Sequence, residues 1–357
     1  MSFRRATQEY EAWLGSHIRL LPGDLHLKHQ RMKEDVFSFL RATYYRWAAI
    51  FPEICPDLQS APEVLAVGDL HVENFGTWRD AEGRLVWGIN DFDEAGWLPS
   101  TNDLVRLSSS VILAIQLSHL SLKAPAALKA VLEGYLDGLD AGGRPFVLAH
   151  DHHALRVMAF ERLREPTQFW GKLDPLRTFR GRPSRRAYKA LVRQLPRKDL
   201  PHRLVHRIAG LGSLGRQRFV ALAEWEGGKI ARETKALAPS AAAWAAGDRS
   251  PTIHYQEILQ TSIRCRDPFV TIKRGWVTRR LSPDCSRIEL SDLPRQRDEL
   301  RLLHAMGWET ANVHLGTGGR KALRSAVTRR KKDWLVEAAR AMADAVKRDW
   351  KEWSGRR

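Results

Sequence analysis

The sequence predicts an α+β chain of two lobes, a helical large lobe and a small antiparallel β lobe. Three observations lead there. Apolar residues near the start recur at helical spacing, at Phe37, Leu40, Tyr44 and Trp47. Two short apolar runs end on loops rich in carboxylates. A glycine-rich loop further along is followed by a strand, a tight turn and a returning strand. Residues 1–200 form the large lobe with the carboxylate loops, residues 201–290 the β lobe with the glycine loop, and residues 291–357 are helices returning to the large lobe.

The elements follow in order. Residues 1–60 read as helical, ended by Pro52 and Pro56. Residues 64–67 form a buried strand that stops at Gly68-Asp69, and residues 85–89 form another after the Glu82-Gly83 turn. Helices cover 104–117 and 125–139, with Pro125 suited to a first helical position. Residues 140–200 are broken by Gly142-Gly143 and Gly181-Arg182-Pro183, with helices between. Strands follow at 205–209, 219–225 and 230–237, then a helix over 252–264, strands at 269–273 and 276–281, and helix from about residue 293.

The chain has 357 residues, 43% of them hydrophobic, which suits one large domain or two tightly packed lobes. Its longest apolar stretch, around 111–115, is broken by Gln116 and His119, so no membrane span is expected. The opening residues turn polar at Gln8-Glu9, which predicts no secretory leader. Cys55, Cys265 and Cys285 are odd in number and share no metal spacing, so a cytoplasmic location is expected. The formal charge of +17 attracts polyanions without choosing among nucleic acid, nucleotides, phosphorylated substrates and acidic membranes. Arginine-rich composition can also reflect the base composition of a genome.

The segment Gly68-Asp69-Leu70-His71-Val72-Glu73-Asn74-Phe75-Gly76 follows a strand. In kinase-type phosphoryl transfer, a catalytic-loop Asp accepts the substrate hydroxyl proton and an Asn five residues on binds Mg²⁺. Asp69 and Asn74 have that spacing. The second strand then delivers Asn90-Asp91-Phe92-Asp93-Glu94, whose carboxylates can hold Mg²⁺ against nucleotide phosphates. Asn74, Asp91 and Asp93 are therefore the candidate metal ligands, Asp69 the candidate base, and His71 an orienting or phosphate-touching neighbour. Gly-Asp and Asn-Asp pairs are also ordinary turn residues. Asp103 stands at a helix start, as an N-cap or as a buttress of the catalytic loop.

Gly210-Leu211-Gly212-Ser213-Leu214-Gly215 fits G-x-G-x-x-G. A dinucleotide loop of that form opens a helix, whereas this one opens a strand, as in a kinase flap over ATP phosphates. Gly210, Gly212, Ser213 and Gly215 are thus candidate phosphate contacts, against the plainer reading of a glycine-rich hairpin. Lys235 on the third strand is the candidate phosphate lysine, and Glu257 its candidate helix partner.

With these residues in place, the chain resembles a bacterial family, domain of unknown function 2252, similar in turn to the protein-kinase-like fold of aminoglycoside and choline phosphotransferases. The resemblance rests on residues 39–45, the loops 68–76 and 210–215, and the stretches 90–94, 102–107 and 277–281. It implies Asp69 as base, Asn74 and Asp91 as ligands of Mg²⁺, Asp103 as a structural aspartate, and ATP as the nucleotide. Val67 stands where small-molecule kinases place a His before Gly-Asp, and the helix bearing Glu257 is not reliably acidic in this family. The order is also changed, with the catalytic loop before the glycine loop. The helix containing Asn312 and His314 resembles the one that leads into the catalytic loop of small-molecule kinases, so the expected relation is a circular permutation.

Three functions remain open on the sequence. One is an ATP·Mg-dependent phosphotransferase acting on an unknown small-molecule or protein acceptor, for which an acidic compound suits the charge. Another is a nucleotide-binding pseudokinase, or a transferase of AMP. The third is nonspecific nucleic-acid binding through the basic surface, above all the Lys/Arg-rich segment 320–357. That segment spaces Trp334, Leu335, Met342, Val346 and Trp353 as a helix with one apolar face. The acceptor would meet residues 10–60 and 140–200, with Arg41 a candidate anion contact.

Overall fold

The computed structural model describes residues 1–149, 152–160, 166–285 and 298–356. Residues 1–60 fold as four main helices, α1 (Phe3–His17), α2 (Pro22–Arg31), α3 (Val36–Ala42) and α4 (Tyr44–Ile54). Local chemistry sets the breaks. Ser2 and Asp35 accept from the backbone N–H of Arg5 and Ser38 and so cap α1 and α3, while Pro22 opens α2. Pro52, expected to end the helical run, lies inside α4. The last turn survives because the Cys55 N–H still bonds to the Phe51 carbonyl at 2.9 Å.

Two nested antiparallel ladders come next. Strand β1 (Glu63–Ala66) is followed by the hairpin β2 (Phe75–Arg79) and β3 (Leu85–Ile89), and then by β4 (Gly96–Pro99), which returns to pair with β1. Ala66 faces Gly96, and Phe75 faces Ile89. These pairings bracket loops 67–74 and 90–95 at both ends, so the two loops lie side by side. The sequence showed β1 and β3 as apolar runs; β2 and β4 escaped because Gly76, Gly96 and Pro99 interrupt them.

Helices α5 (Thr101–Gln116) and α6 (Ala124–Asp140) follow, then the short β5 (Phe146–Val147) beside β3, and α7 (His153–Phe160), α8 (Pro166–Leu173) and α9 (Arg185–Val192). The next stretch is β6 (His202–His206), β7 (Arg218–Trp225), β8 (Gly228–Ala236), α10 (Ala241–Ala245), α11 (Tyr255–Thr261), β9 (Thr271–Lys273) and β10 (Trp276–Leu281). Its five strands form one antiparallel sheet in the order β6-β7-β8-β10-β9. Period-two alternation gives the sheet two buried faces. Ala187 and Leu191 of α9 cover Phe219, Ala221 and Trp276 on one side; Phe169 and Leu173 of α8 cover Val205, Val220 and Leu281 on the other.

The chain closes with α12 (Asp298–His314), α13 (Arg320–Thr328) and α14 (Trp334–Ser354). The expected boundary at 290/291, and the expected helix start near residue 293, lie outside the described residues. Helix α14 buries Leu335, Met342, Val346 and Trp353 and leaves Arg340, Arg348 and Lys351 exposed. The Trp353 ring sits 5.5 Å from that of Phe3, and Asp349 pairs with Arg46 at 2.8 Å. Both ends of the chain are thereby fixed on one core. Among the described residues, no helix is long and apolar enough to cross a membrane.

Helices α6 and α12 meet backbone to backbone. A Cβ on Gly134 would lie 1.8 Å from the His304 carbonyl oxygen, and one on Gly307 would lie 2.0 Å from that of Val131. No side-chain motion relieves such a contact, so the helices must separate. Gly307→Ala should destabilise the protein by about 3 kcal/mol, read as a lower urea midpoint with an unchanged slope.

Candidate active site

Asp103 organises loop 67–74. Its carboxylate accepts from the N–H groups of Val67 (2.7 Å) and Gly68 (2.9 Å), both at the end of β1. Gly68 has φ +78, and a Cβ there would meet the Glu94 carbonyl oxygen at 2.3 Å, so glycine alone fits the bend. His314, from the last turn of α12, donates through Nε2 to the same carboxylate at 3.2 Å, and the Tyr135 hydroxyl lies 2.9 Å from its Nδ1. Both Asp103 and His314 are fully buried. Helix α5 thus begins by buttressing the loop, and the imidazole that completes its carboxylate comes from His314, 211 positions after Asp103.

One helical turn after Asp103, Arg106 reaches Asp69. Its Nε and Nη2 donate to Asp69 Oδ1 at 2.9 and 2.5 Å, and its guanidinium lies over the Tyr44 and Trp47 rings. Asp69 Oδ2 faces the glycine loop, 3.5 Å from where a Cβ on Gly212 would stand. Burial raises the Asp69 carboxyl above the ordinary range, opposed by Arg106. The result is a fixed carboxylate with one oxygen pinned and a raised affinity for a proton. His71 is buried beside it; its Nδ1 accepts the Glu73 N–H at 3.2 Å, which fixes the loop turn.

Asn74 joins the two loops. Its Nδ2 donates to the carbonyls of Asp69 (3.2 Å) and Asp91 (3.1 Å). Its Oδ1 is buried without a hydrogen-bond partner among the described residues, as is Asp93 Oδ1. Orphaned buried oxygens of this kind are costly unless a ligand completes them. Hard oxygen donors suit Mg²⁺, which keeps several waters and needs only one or two protein ligands. The donor set Asn74, Asp91 and Asp93 therefore fits that ion. Among the described residues no group of three His, Cys, Asp or Glu side chains would hold a metal alone.

Lys235, buried on β8, lies 2.5 Å from Asp93 and 3.5 Å from Asp91. Burial lowers its pKa, against the pull of those carboxylates. This corrects the expected lysine–glutamate pair: Glu257 is half exposed and binds His254 at 2.7 Å. Arg41, an expected anion contact, is paired with Glu73 at 2.5 Å.

The glycine loop leaves β6, makes one helical turn at Leu211–Ser213, and folds down over these carboxylates. Gly210 and Gly215 take φ of +73 and +97. A Cβ on Gly212 would lie 2.9 Å from the Arg41 carbonyl oxygen. The Ser213 hydroxyl accepts from Arg218 Nη2 at 2.8 Å, which places it inside the loop's own network. Together the loops enclose a small cavity of about 50 Å³, lined by Asp69, Asn74, Asp91 and Asp93 on one side and Gly210 to Ser213 on the other.

Sequence reasoning missed four lining or supporting groups. Arg106 was legible, being one helical turn from Asp103 on α5. Arg216 pairs with Glu94 at 2.8 Å, and both stand next to motifs that drew attention to themselves. Lys28 gave no signal; it is buried, its Nζ donates to the Gly212 carbonyl at 3.1 Å, and burial pushes its pKa down to about 8.

A family model for an uncharacterized protein conserved in bacteria, domain of unknown function 2252, matches residues 19–170 and 181–356. The chain belongs to this family. No curated protein and no solved structure matches it. The family match spans both loops, Lys28, Lys235 and His314, so all the groups described above lie within the shared region.

Two outcomes test the supports. Asp103→Asn puts an amide donor against backbone donors and should cost about 3 kcal/mol in urea unfolding. Lys28 has a folded pKa below its unfolded value, so its stabilising contribution is present above pH 10.5 and lost as pH falls through 8. Lys28→Met should therefore be more stable than the parent by about 2 kcal/mol at pH 7, a gap that closes towards pH 10.5 in melts across that range.

Proposed function

We propose that this family member is an ATP·Mg-dependent phosphotransferase with a two-lobed, kinase-like site built in permuted chain order. The observation supporting it most is the closure of the glycine loop over Asp69, Asn74 and Asp91, with Lys235 on the third strand of the sheet reaching the same carboxylates. A kinase template asks for this arrangement: a glycine loop over phosphates, a lysine on the third strand, a base, and an Asn and an Asp for the metal. The permuted order is supported by Thr317, just past α12, whose hydroxyl accepts the Leu65 N–H of β1 at 2.9 Å. A chain in ordinary kinase order would pass directly from that helix into that strand.

In this reading Asp69 takes the proton of the acceptor hydroxyl through Oδ2 while Arg106 holds Oδ1. Its raised pKa favours that transfer, since a base works best with a pKa near the working pH. Asn74 Oδ1 with Asp91 and Asp93 would hold Mg²⁺, which neutralises charge on the phosphates when bound. Lys235 bridges Asp91 and Asp93 and would swing its ammonium to the phosphates. A second reading, nucleotide binding without transfer, is favoured by one observation, the absence of Glu257 from Lys235.

Asp69→Asn should lower ATP turnover by at least about 10²-fold, the usual contribution of a general base. ATP affinity by calorimetry should stay within about threefold, because Asp69 is not a phosphate or metal ligand here. Turnover equal to the parent's would remove Asp69 as base; ATP binding with no turnover in the parent would favour the second reading.

A further inference from the structure

Residues 177–198 carry nine Lys and Arg and no Asp or Glu. The structure leaves all nine exposed. Among the described residues, Arg197 alone of these nine meets a carboxylate, that of Asp199 at 3.4 Å. The acid on the other flank, Asp174, is taken by Lys229 at 2.7 Å. The other eight cations thus stand in one short segment without a counter-ion among the described residues. The Lys/Arg-rich segment 320–357, expected from the sequence as the polyanion surface, is unlike it. Five Asp and Glu interrupt that segment, and Arg324 and Lys347 pair with Asp140 (2.7 Å) and Asp344 (3.1 Å).

These cations stand on a fixed base. Residues 177–180 run along the edge of β6, where Thr178 bridges Val205 and the Phe179 N–H donates to the Leu204 carbonyl at 2.8 Å. Ser184 caps α9 by accepting from the Ala187 N–H at 3.1 Å, and Ala187 and Leu191 seat the helix on the sheet. That leaves Arg185, Arg186, Lys189 and Arg193 exposed. At 3.6 residues per turn they share an arc of about 100° along roughly 12 Å of helix. Stability does not ask for this arrangement. Cations in the first turn oppose the helix dipole, and Lys189 has a like charge one turn away on each side. Local rules broken on a well-seated helix point to a binding role. Among these cations Tyr188 is 42% exposed, with its ring 5.8 Å from that of His202.

We propose that this outer face of the β lobe binds single-stranded nucleic acid, independently of sequence. Seven of the nine cations are Arg, whose planar fork matches a phosphate with two parallel hydrogen bonds. Tyr188 offers a ring on which an unpaired base stacks. A duplex keeps its bases from that ring, whereas a single strand uses ring and cations together. A bilayer asks for apolar side chains to insert, and Tyr188 is the one large hydrophobic residue strongly exposed in this segment. The face lies away from the carboxylate loops. Ala231, Glu233 and Lys235 alternate onto the side of the sheet that α8 covers, while α9 covers the opposite side. Strand binding is therefore separate from the transferase reading and does not depend on it.

The test uses the full chain with fluorescent oligo(U) and oligo(dT), read by anisotropy at low salt. A hairpin duplex, heparin and vesicles containing phosphatidylserine serve as competitors. Both strands should bind, with affinity falling on a log–log salt slope of about −3, as four phosphate contacts at about 0.7 each require. The duplex and the vesicles should compete at least about tenfold less well than unlabelled strand. Arg185→Glu with Arg186→Glu should weaken binding at least about tenfold. The urea midpoint of that variant should be no lower than the parent's, because Glu suits the first turn of a helix, so lost binding is not lost folding. Tyr188→Ala should weaken oligo(U) about tenfold and leave heparin, which has no bases, unchanged. Arg340→Glu with Arg348→Glu, at exposed positions of α14, should leave strand binding within about twofold of the parent's. Failure of both strands to bind, or an α9 variant that binds as the parent does, would overturn the site. So would a larger loss from the α14 variant than from the α9 variant. Stronger competition by duplex or vesicles than by strand, or a Tyr188→Ala variant that binds oligo(U) unchanged, would overturn the single strand as its partner.

Discussion

The site depends on one buried carboxylate. Asp103 holds the N–H groups of Val67 and Gly68 and receives His314, so it ties the end of β1, the start of α5 and the end of α12 at one point. None of these groups can turn to water for a replacement partner. Removing any one leaves another orphaned in a region of low dielectric, where the penalty is greatest. The bend at Gly68 is therefore fixed before any ligand arrives, and Asp69 emerges from it with a set direction.

From that anchor the charges extend outward in alternation. Arg106 compensates Asp69; Lys235 and Arg216 compensate Asp93; Arg216 also meets Glu94, whose other oxygen takes the Ala241 N–H at 2.6 Å. Arg218 continues the series to Glu233. Lys235 and Arg216 come from the sheet and the glycine loop, Asp93 and Glu94 from the loop after β3, so these pairs close the β sheet against the helical part of the molecule. Buried pairs are weak contributors to net stability, but breaking one is costly, and this favours specificity of arrangement over strength. Towards the sheet, Arg207, Arg218 and Arg279 converge on Glu233.

Several parts of this arrangement were legible in the sequence. The spacing of Asp69 and Asn74, the apolar runs before each loop, and the strand after Gly215 all depend on local order, and the structure brings these residues to one cavity. Strand β10 was readable because the Arg274-Gly275 turn sets Trp276 to Leu281 off from the strand before it. The pairing of Glu257 with Lys235 was not, since an acidic residue on a nearby helix is common and only packing decides which way it points. Lys28 and Glu233 gave no signal for a related reason: in a chain with 58 Lys and Arg and 41 Asp and Glu, a single charge says nothing about its burial.

The sequence by itself determined the α+β class and the two carboxylate loops, because the periodicity of apolar residues and the turn chemistry of Gly and Asp act over a few residues. It also marked Asp103, just before the helix expected at 104–117, as an N-cap or a buttress of the loop; the structure starts that helix at Thr101, with Asp103 inside its first turn. Only the tertiary structure decided which charges meet. That His314 completes Asp103, that Lys235 rests on Asp91 and Asp93, and that three arginines gather on Glu233 are long-range pairings. Their partners are chosen by the packing of helices and sheet, which fixes burial and hence the strength of every electrostatic contact.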